Sequence, residues 1–189
     1  MIISIQQLVK RYGSLTAVDH VDLAIPQGEI CGLLGPNGAG KTTAIKCIAG
    51  LHSFDEGRIE VFGLDREREH RRIQQRIGLV PQEVALYDDL SAYENALFFG
   101  RMYGLSGGRL RDGVRRALEF SELWDRRDQR PGKYSGGMKR RLIIACALVH
   151  DPELIILDEP TVGIDPQSRN HILESIRELN RRGTTVLYT

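Results

Sequence analysis

The chain has 189 residues, 41% apolar and 27% charged, the balance of one globular domain with enough apolar material for a core that needs no disulfides. Its net charge of +1 supplies no field that would by itself draw it to nucleic acid or to an anionic membrane. The longest apolar run, LIIACALV at 142–149, is far too short to span a bilayer, so any membrane task requires a partner chain. The opening MIISIQQLVKRYG reads as strand and turn, not as a secretory leader. Cys31, Cys47 and Cys146 stand far apart, each in an apolar stretch, with no CxxC or His/Cys cluster. They read as small buried residues of a reducing compartment.

In chain order, residues 2–30 alternate apolar and polar in short runs broken by Gly13 and by the turn at 26–28, a strand-and-turn pattern. EICGLLG at 29–35 is nearly all apolar and predicts a strand buried on both faces. A glycine-rich loop follows, then the helix KTTAIKCIAG, which Gly50 closes. GRIEVFG at 57–63 and IGLVPQ at 77–82 predict two more strands, and the charge run DREREHRR at 65–72 predicts a solvated helix face. From 91 to 149 the period becomes helical. Ser91 with Glu94 forms a capping box, Gly104 ends that helix, SGGR at 106–109 reads as a link to a second helix, and a third begins near Ser135. LIILDEP restores the strand pattern. Asp165 and Pro166 start a helix striped by Ile172, Leu173, Ile176 and Leu179, Gly183 closes it, and TTVLYT begins a last buried strand. This order predicts an α/β fold: a P-loop core with a β-rich N-terminal subdomain and an inserted helical subdomain. The expected boundaries are 1–82 for the β-rich edge and P-loop core, 83–150 for the helical insert, and 151–189 for the continued core, all within one domain.

Three runs carry chemistry. GPNGAGKT at 35–42 fits G-x-x-x-x-G-K-[ST], in which glycines let successive backbone N–H groups face one anion at a helix N-terminus. Gly35, Pro36, Asn37, Gly38, Ala39, Gly40, Lys41, Thr42 and Thr43 are therefore the candidate phosphate cradle, with Lys41 toward the β- and γ-phosphates and the Thr42 hydroxyl toward Mg²⁺. LIILDE at 154–159 places Asp158 at a strand tip as a second Mg²⁺ holder and Glu159 beside it to polarise water. An apolar strand ending in Asp-Glu is commonplace alone. Downstream of a P-loop it points to a nucleotide hydrolase, because a kinase has no need of the second carboxylate. Ser135, Gly136 and Gly137 at a helix start form a second anion-binding device, although alone they would be a plain helix cap.

Together these runs resemble the ATPase subunit of an ABC transporter over the whole chain, in the style of the family's exporters. YSGGM at 134–138 is similar to the family's LSGGQ signature, with Tyr134 and Met138 as departures. The resemblance makes Gln82 the glutamine that senses Mg²⁺ and water, and Tyr12 the aromatic against adenine. Alone, these would be a surface amide and a strand residue. Asp165 matches the loop that crosses to a second subunit, and Arg140 and Arg141 are expected to be solvated helix residues.

The family's switch histidine and later sheet elements lie beyond Thr189, so the resemblance implies a chain short at its C-terminus, with the apolar face of TTVLYT partly uncovered. It also implies ATP and Mg²⁺ as ligands, a second ATP-binding subunit (a homodimer), and a membrane-spanning permease that holds this cytoplasmic chain at the cytoplasmic face of the membrane. Two readings stay beside the transport ATPase. One is a soluble ABC-type ATPase on ribosomes or DNA, disfavoured by the compact helical arm and low charge, so no nucleic-acid partner is expected. The other is a nucleotide-binding module with little turnover.

Overall fold

Short alternating runs at the N-terminus become strands because each can turn one apolar face inward. The computed structural model describes residues 1–189 throughout. It begins with β1 (Ile3–Tyr12), β2 (Leu15–Ile25), β3 (Ile30–Gly32) and α1 (Lys41–Ile48), followed by β4 (Glu56–Val61), β5 (Leu64–Asp65), α2 (His70–Gln74) and β6 (Ile77–Val80). Three longer helices come next, α3 (Ala92–Met102), α4 (Gly107–Phe120) and α5 (Gly136–Leu148). The chain then runs through β7 (Leu154–Leu157), α6 (Pro166–Arg181) and β8 (Thr185–Tyr188).

Two four-stranded sheets result, ordered β2-β1-β4-β5 and β3-β8-β7-β6. The first is antiparallel and the second parallel. Helix α1 lies where they meet: its Ile45, Cys47 and Ile48 share one core with Ile3, Ile5 and Leu8 of β1 and with Ile156 and Leu187 of the parallel sheet. A second core joins α3, α4 and α5, and a third packs Ile143, Ile144, Ile172 and Ile176 against Ile155, Leu157 and Val186. Each large aliphatic side chain so buried contributes roughly 1.5–3 kcal/mol. No helix is long and apolar enough to cross a membrane.

Local signals held where both partners lie close in sequence. Ser91 and Glu94 form the reciprocal capping box, and Asp165 caps α6 with Pro166 in its first turn. Four expectations are corrected. The run at 29–35 is a strand only over Ile30–Gly32 and has a single neighbour, so Ile30 is 38% and Leu34 90% exposed. Strand β8, whose apolar face is expected to be partly uncovered, instead lies between β3 and β7, with Val186 and Leu187 fully buried. The link at 106–109 is in fact the first turn of α4, which starts at Gly107. The charge run at 65–72 is an exposed helix only from His70, and its Arg66 is buried: the guanidinium donates to the carbonyls of Cys47 and His52, just where α1 ends and its dipole favours a cation.

His150, just past α5, joins the helical layer to the parallel sheet. Its ring stacks on Tyr103 with centroids 3.5 Å apart, and Nε2 donates to the Ile77 carbonyl at 3.1 Å. Nδ1 is buried without a partner. Burial pushes its pKa down to about 4, against smaller opposing effects of the Ile77 carbonyl and Asp151. Between that value and the ordinary 6.5, the unfolded chain binds more protons than the folded one, so stability falls as pH drops through this window. Acidification from pH 7 to pH 5 should cost on the order of 2 kcal/mol more in the parent than in His150→Phe. Urea denaturation at both pH values checks this, and identical losses in the two proteins would contradict it.

Candidate functional site

After β3 the chain turns through Gly38 (φ 84°) and Gly40 (φ 82°) into α1. At Gly40 glycine is required twice over. Its φ is left-handed, and a Cβ there would lie 2.1 Å from the Ala17 carbonyl oxygen of β2. No side chain caps α1, so its first N–H groups face outward with the positive end of the helix dipole. Lys41 folds back over the loop, its Nζ donating to the carbonyls of Gly35 at 2.7 Å and Pro36 at 2.9 Å.

All four residues of β7 are buried, and the strand delivers Asp158, itself 4% exposed, to the same end of the sheet. Asp158 Oδ1 accepts from the Thr42 hydroxyl at 3.1 Å and from the Thr189 hydroxyl at 2.9 Å. Glu159 follows with φ 47°, and its backbone N–H donates to Thr189 Oγ1 at 2.8 Å. Because β6 pairs in register with β7, Gln82 emerges beside it and donates from Nε2 to Glu159 Oε2 at 2.9 Å. A cavity of about 450 Å³ opens above these groups, lined by Tyr12, by residues 37–43, and by Gln82 and Glu159. Tyr12 sits at its rim with its hydroxyl 2.7 Å from His52 Nδ1. A larger apolar groove of about 610 Å³, along Ile77, Tyr87, Phe98 and Met102, contains none of the predicted site residues.

Ser135, Gly136 and Gly137 do not line the 450 Å³ cavity. They stand at the start of α5, where Ser135 Oγ accepts from Met138 N at 3.3 Å. Gly137 is pressed on α6, and a Cβ there would lie 2.2 Å from Ser168 Oγ. Asp165 accepts from Ser168 N at 2.9 Å, a bond that holds its carboxyl below the usual carboxylate range. Tyr134 is buried, its hydroxyl donating to the Arg126 carbonyl at 2.8 Å, so its departure from the expected leucine is accommodated by one carbonyl partner.

The sequence pattern of the family described as ABC transporter matches residues 18–162. The chain belongs to the ABC transporter family. It is 50% identical over 184 residues to the linearmycin resistance ATP-binding protein LnrL of Bacillus subtilis, a match that covers 97% of this chain and 59% of that protein. It is 45% identical over 187 residues to the Nod factor export ATP-binding protein I of Paraburkholderia xenovorans, covering 99% of this chain and 62% of that one. The chain thus spans about three-fifths of these curated relatives. Its fold is similar, with a TM-score of 0.85 and 29% identity, to a dimeric ATP-binding cassette in a post-hydrolysis state bound to ADP and Pi, over 98% of this chain and 86% of that one.

Three residues of this ABC chain escaped sequence reasoning. Thr189, in sequence only the end of a strand pattern, bridges Asp158 and the Glu159 backbone. Asn95, fully buried, accepts from Tyr87 N and donates to the carbonyls of Tyr87, Leu90 and Ser91, tying the segment after Gln82 onto α3. Arg140 is not solvated. It is 2% exposed and donates to backbone carbonyls beside Gln82 and Glu159. Its neighbour Arg141 is half-buried, donating to the Ser121 carbonyl and to Glu122. A signal for Arg140 was present: at helical spacing it shares a face with Gly137, Ile143 and Ile144, all buried.

Proposed function

We propose that this chain binds and hydrolyses ATP on the cytoplasmic face of a membrane and thereby powers transport, in the direction of export, by a partner membrane permease. We also take residues 1–189 as one ABC-type ATP-binding domain divided near 82 and 150. The observation that carries the reading is the convergence of Thr42, Gln82 and Glu159 on the cavity beside the glycine-rich loop, with Asp158 bonded to Thr42 behind it. Backbone N–H groups of Gly38, Ala39, Gly40, Thr42 and Thr43, with the Lys41 ammonium, would hold the phosphates, and Tyr12 would pack on adenine. The Thr42 hydroxyl, the Asp158 carboxylate and the Gln82 amide are oxygen donors suited to Mg²⁺, and the first two already touch at 3.1 Å. When bound, that ion neutralises charge on the phosphate oxygens. Glu159 would accept a proton from the attacking water, because the Gln82 bond occupies Oε2 and leaves Oε1 to orient it.

Ser135, Gly136 and Gly137 lie away from this cavity, so in this reading they serve the nucleotide of a second copy, and two chains complete two sites. The names of the relatives, one for linearmycin resistance and one for Nod factor export, favour outward transport. Mixing Ser135→Arg chains with Lys41→Ala chains tests the arrangement. Each variant alone should be inactive, whereas the mixture forms pairs with one undamaged composite site and should regain turnover. A mixture as inactive as its components would overturn function in trans.

A further inference from the structure

The reactive side chains sit just past the ends of two paired strands, where the sheet no longer holds them. The register of β6 with β7 stops at Val80 and Leu157, and Asp158 N to Val80 O is the last ladder bond. Beyond it, the carbonyls of residues 81, 82 and 158–160 all turn toward one guanidinium. Arg140 Nη1 donates to Pro81 O at 2.6 Å and Gln82 O at 3.2 Å, Nη2 to Asp158 O at 2.9 Å and Glu159 O at 3.0 Å, and Nε to Pro160 O at 2.9 Å. A guanidinium has five N–H donors, and all are used on neutral carbonyls.

We propose that Arg140 is a positioning residue that clamps the backbone of Gln82 to the backbone of Asp158 and Glu159, holding the water-orienting pair in register with the phosphate cradle. The inference rests on the hydrolytic reading above. Simple packing does not call for a cation here: the same face of α5 carries Gly137, Ile143 and Ile144, and a buried charge is costly unless fully bonded. Burial lowers the Arg140 pKa and the Asp158 carboxylate opposes that shift, while guanidinium stays charged across the working range. The Gln82–Glu159 contact of 2.9 Å is set by the two backbones that the clamp joins. Their anchor lies little more than one helical turn from Ser135, at the start of α5.

The test uses the full chain and three measurements: steady-state phosphate release, titration with a fluorescent ATP analogue, and thermal denaturation. Arg140→Met keeps length but removes all donors. It should lower kcat by about ten- to a hundredfold, the penalty of misplacing reacting groups by about 1 Å, while KM and nucleotide affinity stay near those of the parent. Arg140→Lys, with three donors for five carbonyls, should recover only part of kcat. In a Gln82→Ala background the Arg140→Met loss should shrink, since the two changes act on one unit. Unchanged kcat in Arg140→Met, affinity falling in step with kcat, or fully additive losses would each overturn the clamp. Should Arg140→Met not fold, Arg140→Lys decides, and parent-like kcat in that variant overturns the clamp. A parent that binds ATP but releases no phosphate overturns the hydrolytic reading itself, an outcome separate from a parent that turns over beside an indifferent Arg140→Met.

Discussion

Glu159→Gln should bind ATP as the parent does and lose at least about a hundredfold of its turnover, the contribution of a positioned general base. The change is almost isosteric, so the cavity keeps its shape. An amide oxygen can still accept from Gln82 Nε2 where Glu159 Oε2 now does at 2.9 Å, and the backbone at φ 47° keeps its bond to Thr189. Only the carboxylate's basicity is removed. ATP then stays intact between two copies, and the variant should accumulate as an ATP-bound pair. Phosphate release and size-exclusion chromatography with ATP measure both consequences. Turnover near that of the parent, or a purely monomeric protein with bound ATP, would remove Glu159 from the role of base.

Lys41→Ala should abolish binding at micromolar ATP. The ammonium that bridges Gly35 O and Pro36 O is the cation carried by the loop itself, so its loss both loosens the cradle and removes the partner of the phosphates. Truncating one member of a hydrogen-bonded charge pair costs about 2–5 kcal/mol, or from about thirtyfold to several thousandfold in affinity. Because the Lys41 side chain bonds only to its own loop, the fold should be little affected, and thermal denaturation should be close to that of the parent. A fluorescent-nucleotide titration decides the matter, and equal affinities would refute the role.

The parts legible in the sequence are those whose chemistry is contiguous. The run 35–42 needs its glycines at fixed spacing because one backbone stretch must wrap one anion, and LIILDE is a strand whose tip is its own site. Caps at Ser91 and Asp165 were legible for the same reason, since both partners lie within one turn. What was not legible depends on strand order and on partners distant in the chain. An apolar run reads alike at the centre or at the edge of a sheet, so nothing in the runs themselves says that β3 takes the edge and that β8 is covered on both sides. Arg140 looked solvated because the Pro81 and Gln82 carbonyls lie 59 and 58 residues away, although its helical face pointed inward. Arg66 was misread in the same way: the α1 carbonyl of Cys47 that it caps lies 19 residues back.

The central claim is that the groups gathered at the ends of β6 and β7 hydrolyse the nucleotide held by the glycine-rich loop. Phosphate release from ATP by the full chain, measured with Mg²⁺ and with the ion chelated, tests this directly when run beside a nucleotide-binding titration. The account predicts many phosphates released per chain with Mg²⁺ and none above background without it. Saturable ATP binding with no phosphate released under either condition would contradict it and leave a nucleotide-binding module without turnover.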